Sequence, residues 1–175
     1  MGIRQAIADI RIMNTLFTAA EQEAAALGDE VPGAEHLLLA VLALPDASAR
    51  RAFATFDVTA PDVRTAITQT HTLALRSVGI DAEAEPPEPS PGSGPSPTRT
   101  GPYRSTGSLQ EVFQRAVALS KEGAGRGHEL RSAHVVWAAA EVEHGTVRRA
   151  LRQLGVDQSD LQRAARQALA ENETD

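Results

Sequence analysis

His36 and His134 lie 98 residues apart and open equivalent apolar stretches. An imidazole at that place can serve a ligand site, or it can pack at a helix start and hydrogen-bond within its own segment. The second role is the expectation. The five histidines show no clustered carboxylate or cysteine spacing, so no metal site is expected. With no cysteine at all, disulfides and thiolate ligands are excluded. Glu35 can receive a cationic side chain, or simply complement the positive end of its helix; both readings stand. Arg50-Arg51 and Arg148-Arg149 read as a solvated face before a partner-facing patch. Trp137, Phe17, Phe53, Phe56 and Phe113 read as core. No Ser/His/Asp or paired-carboxylate arrangement stands out, so an enzyme is not expected. No G-x-x-x-x-G-K-[ST] loop occurs, and the Gly-rich stretches at 91–97 and 123–127 lack the lysine. ATP binding is therefore not expected, and no cofactor is implied.

The elements that must position these residues come in two copies. From His36 and His134 onward the segments 33–67 and 131–165 align without a gap. Arg50, Arg51, Ala52, Val58, Asp62 and Ala66 meet Arg148, Arg149, Ala150, Val156, Asp160 and Ala164. A duplicated helical unit buries one copy's apolar face against the other's. The predicted fold is all-α, a pseudo-twofold pair of four-helix repeats.

In the first copy, residues 3–27 show helical periodicity through Ile10, Met13, Phe17, Ala20, Ala24 and Leu27. Gly28 suits a left-handed cap. Residues 35–44 form a nearly all-apolar central helix that Pro45 stops. Asp46 can cap a short third helix. Thr59 and Asp62 form a capping box for a fourth, with Pro61 in its first turn. In the second copy Ser108 caps the first helix, and Asp157 with Asp160 repeats the last cap. For the first helices, offsets of 96 and 100 both keep apolar positions in phase.

These signals divide the chain into a first repeat (1–81), a linker (82–107), a second repeat (108–170) and an acidic tail (171–175). The linker holds seven of the ten prolines and is expected to be mobile. Net charge is −6 and the isoelectric point is near 5.4, which speaks against a generic nucleic-acid binder. The longest apolar run, 37–44, is far short of the roughly 20 residues a bilayer needs. A cytoplasmic location with no membrane association is expected.

The segment Leu27-Gly28-Asp29-Glu30-Val31-Pro32-Gly33-Ala34-Glu35-His36-Leu37-Leu38-Leu39 resembles the "LGHxxIGTEHLLLGLL" signature of the Clp N-terminal (Clp R) repeat. That domain precedes the ATPase rings of Clp unfoldases. Ala49–Phe53 with Phe56-Asp57-Val58 resembles the repeat's "AARVLxxLGV" segment, and Leu154-Gly155-Val156-Asp157 matches it closely. The resemblance covers nearly all of the chain outside the linker and termini. It implies a non-catalytic N-domain without its motor, ClpC-like. Such a domain would capture protein substrates, adaptors or cyclic-peptide ligands as a decoy or docking protein. The alternatives are a regulator that contacts a Clp unfoldase, or a scaffold for a transcription-linked factor.

In ClpC proteins the TEH glutamate holds the guanidinium of phosphorylated arginine. That position is Glu35 here, and Ala133 in the second copy. The family's phosphate-holding "FT" opening falls near Asp9-Ile10 and Leu109-Gln110, and neither keeps the threonine. The expected ligand site is Gly33, Ala34 and Glu35, with Asp9 and Leu109 at the departed positions. A helix start exposes amide groups for an anion while Glu35 meets a cation, so a modified arginine could be held from both ends.

Overall fold

A computed structural model describes residues 3–77, 105–123 and 129–171, with side chains from residue 12 onward except at position 75. Most of the expected linker and the last four residues of the acidic tail lie outside the described residues. The described residues form eight helices and no strand. The first copy holds α1 (Ile3–Leu27), α2 (Ala34–Leu42), α3 (Ser48–Ala54) and α4 (Ala60–Ser77). The second holds α5 (Gly107–Lys121), α6 (Ser132–Ala140), α7 (Thr146–Gln153) and α8 (Gln158–Glu171).

The copies exchange partners about a pseudo-twofold axis. Helices α2 and α6 meet in the middle, α3 packs on α8, and α4 packs on α7. The apolar runs explain this placement. Leu37, Leu38, Val41 and Leu42 are buried on α2, and Val135, Val136 and Ala140 on α6. A helix apolar on nearly every face is stable only with neighbours all round. Trp137 departs from the expectation of a central residue. It is half-buried, with the Arg166 guanidinium 4.5 Å from its ring centroid, a cation–π contact. Phe17 and Phe113 meet edge to face, ring centroids 5.2 Å apart. They are separated by 96 residues, and α5 ends with Gly123 at a positive φ just as α1 ends with Gly28. The phenylalanine pair favours the offset of 96 over 100, and the two glycines, 95 residues apart, lie nearer to 96 as well.

Several caps differ from the sequence reading. The N-cap of α5 is Thr106, not Ser108: the Leu109 amide donates to Thr106 Oγ1 at 3.4 Å. The Thr106 amide also donates to the Pro32 carbonyl at 3.0 Å, which ties the start of α5 to the loop before α2. Asp46 does not cap α3, because Ala47 takes that place in a left-handed conformation. The Asp46 carboxylate instead crosses to the second copy, accepting from the Ser132 amide at 2.9 Å and from Ser132 Oγ at 2.6 Å. Arg50 is exposed, as expected of a solvated face, but its guanidinium is also engaged. Its guanidinium donates to the Leu42 carbonyl at 2.8 Å and the Leu44 carbonyl at 3.1 Å, closing the end of α2. In the second copy Gln158 does that work on Ala140 and Val142, and Arg148 holds Gln158.

Candidate functional site

The site grows from the start of α2. Gly33 is the N-cap, in extended backbone, followed by Ala34, Glu35 and His36. Three residues on, the His36 ring turns back, and its Nδ1 accepts the Gly33 amide at 2.9 Å. His134 does the same for the Arg131 amide at 3.0 Å. The shared histidine is thus the acceptor of a capping box, the packing role expected for it. An accepting Nδ1 leaves the proton on Nε2. Burial holds the His36 imidazole below its ordinary pKa, against the upward pull of the Glu35 and Asp29 carboxylates.

Glu35 bends back over the N-cap. A Cβ added at Gly33 would stand 2.7 Å from Glu35 Oε1 and 2.8 Å from Oε2. Glycine therefore makes the room in which this carboxylate lies. Its side chain is 16% exposed, and Oε1 is 3.7 Å from His36 Nδ1. Two further groups close the mouth. Asp29 comes from the loop after α1 and His71 from α4, with His71 Nδ1 3.5 Å from Asp29 Oδ2. His71 Nε2 lies 4.0 Å from Glu35 Oε1. Asp29, Glu35 and His71 converge here in space, although the sequence shows no clustered spacing among them. No local spacing announces them: His71 stands 36 residues after Glu35 and meets it only because α4 packs beside α2.

Of the expected site residues, the fold brings Gly33, Ala34 and Glu35 together at this mouth. Ala34 is itself buried. The side chain of Asp9 lies outside the described residues. Leu109 is fully buried in the core, although its helix start is tied through Thr106 to Pro32. The equivalent position in the second copy, Ala133, is also fully buried.

Residues 12–123, more than half of the chain, match the Clp repeat (R) N-terminal domain. The chain belongs to the Clp N-terminal repeat family. Members are non-catalytic modules that typically bind substrates or adaptors. The fold is also similar to the solved N-terminal domain of the caseinolytic protease associated chaperone ClpD from Arabidopsis thaliana. That structure superposes with a TM-score of 0.57 at 19% identity, over 89% of this chain and 90% of that one. No protein of curated function matches the sequence. Among the described residues of this Clp N-domain, no helix is long and apolar enough to cross a membrane.

Proposed function

We propose that this Clp N-domain works as a docking or decoy module whose ligand site is the mouth of α2. It captures protein segments or cyclic peptides that engage the N-domains of Clp unfoldases. Arginine-bearing segments, phosphoarginine among them, are the favoured class. The observation that carries this reading is the Glu35 carboxylate. It is partly exposed, folded over Gly33 at a helix start, and backed by Asp29. A guanidinium fits the two carboxylates, and the helix end favours an anionic group beside it. A short-range charge-assisted hydrogen bond contributes about 1.5–3 kcal/mol.

Calorimetry against phosphoarginine, an arginine-bearing peptide and a cyclic peptide active on ClpC tests the reading. Glu35→Ala is expected to weaken the arginine ligands roughly 10- to 100-fold, the equivalent of one such bond. Its urea midpoint should fall far less than that of a core truncation, since Glu35 is not among the fully buried residues of the core. Unchanged affinity for every ligand would place the site elsewhere.

A further inference from the structure

The mouth of α2 also has the composition of a cation site. Asp29, Glu35 and His71 each offer one ligand atom, and the three atoms lie within 4.8 Å of one another. Ligands set tetrahedrally around zinc at about 2.0–2.1 Å stand roughly 3.4 Å apart. The approach of 3.5 Å between His71 and Asp29 is already at that spacing. Glu35 Oε1 lies 4.0 Å from the other ring nitrogen, His71 Nε2, and has the remaining distance to cover.

A second observation concerns the residue behind those three. His36 is 1% exposed, and its Nε2 is buried with no hydrogen-bond partner. That atom is aimed at the cluster, 3.1 Å from Asp29 Oδ2 but off the line of a hydrogen bond. Because Nδ1 is held by the Gly33 amide, Nε2 carries the proton and faces a carboxylate. Metal-ligating carboxylates are commonly held from behind by a donor of this kind.

We infer that Asp29, Glu35 and His71 form a mononuclear site for a divalent cation of borderline softness, zinc in the first place, with His36 orienting Asp29. Mixed imidazole and carboxylate donors suit zinc, and two carboxylates balance a dication. Three protein ligands leave one position open, for water or for a carboxylate or carbonyl of a docked segment. The second copy has no such site, because the positions of Glu35 and His71 are Ala133 and Leu169, both buried. The inference does not rest on the peptide reading, since cation uptake needs no peptide, and zinc would compete with a guanidinium for the same two carboxylates.

Titration calorimetry of the chelator-treated protein with zinc chloride at neutral pH tests it. One saturable event of unit stoichiometry is expected in the parent. Removing an outer partner of a metal ligand costs about 10- to 100-fold in affinity, and His71→Gln or Asp29→Asn should each cost at least that. His144→Gln, at an exposed histidine remote in sequence from the cluster, should change nothing. The cobalt-substituted protein should show the visible absorption of a tetrahedral site, lost in His71→Gln. Asp29 is 39% exposed, so Asp29→Asn keeps the comparison available if His71→Gln folds poorly. Absence of saturable uptake by the parent overturns the inference, as does equal uptake by a folded His71→Gln or Asp29→Asn. If zinc fails while the arginine peptide still binds, the cation site falls and the peptide site stands.

Discussion

The starts of α2 and α6 share one device and put it to different uses. Both carry a histidine whose Nδ1 accepts the N-cap amide. Around it, Gly33-Ala34-Glu35 in the first copy is replaced by Arg131-Ser132-Ala133 in the second. At α2 the small N-cap leaves room for a carboxylate, and the mouth stays partly exposed. At α6 the mouth is sewn shut. Ser132 Oγ accepts the Ala49 amide at 2.9 Å, and Ser48 Oγ accepts the Ala133 amide at 3.0 Å. Each serine therefore caps a helix of the other copy, with Asp46 bridging them. A repeated unit needs its two halves joined and only one of them open. The three residues before a common histidine decide which is which.

The strongest test of that contrast is Ala133→Glu, which restores the family glutamate in the second copy. At α6 the new carboxylate would enter a fully buried position. An uncompensated buried charge costs about 3–5 kcal/mol, and urea melts should show a loss of that order. A loss below about 1 kcal/mol would mean that the α6 mouth opens as readily as α2, and the contrast would fail. Next in size is Ser132→Ala. It strands the Ala49 amide and removes a donor to Asp46. Leaving such groups unsatisfied costs about 1–3 kcal/mol. The reciprocal change, Ala34→Ser, should gain nothing comparable; equal and opposite shifts would show that the joint is not confined to α6.

The smallest effect concerns what the copies have in common. Asp62 is held below the usual carboxylate range by the Thr59 hydroxyl and then by the Thr59 amide. Asp157 is held down by the Ser159 hydroxyl and by the amides of Asp160 and Ser159. A depressed folded pKa means that the native state binds fewer protons than the unfolded chain. The contribution is then fully present above the unfolded value of about 3.9 and is lost as pH falls through the folded value. Asp62→Asn and Asp157→Asn should each flatten the acid limb of a stability–pH profile to a similar, small extent. A flattening in only one variant would extend the asymmetry of the α2 and α6 starts to the α4 and α8 caps.

Much of this arrangement is legible in the chain because its causes are local. The gap-free repeat, the apolar runs at 37–44 and 135–140, Gly28 and the paired Asp62 and Asp160 mark helices through periodicity and capping alone. Glu35 is legible from its place at a helix start. What escapes is whatever depends on a partner from elsewhere. Asp46 looks like a helix cap from its neighbours, yet it bonds a residue 86 positions away. Arg50 is exposed as expected, but its bonds to the end of α2 are not written in its spacing. Asp29 and His71 carry no mutual spacing, so only the packing of α4 beside α2 discloses them.

The crossed serines also settle which halves can pair. In this chain the α3/α6 joint matches Ser48 with Ser132, and the repeat sets Ala34 and Thr146 at the equivalent places of α2 and α7, which also pack together. A self-pair of the first half would set Ser48 against Ala34 at both joints and leave Asp46 facing a methyl group twice. A self-pair of the second half would set Ser132 against Thr146 and lose the bridging carboxylate, because the position of Asp46 is His144. The halves have specialised into lock and key. Swapping either for a duplicate of its twin would yield a molecule with the right helices and no matching seam.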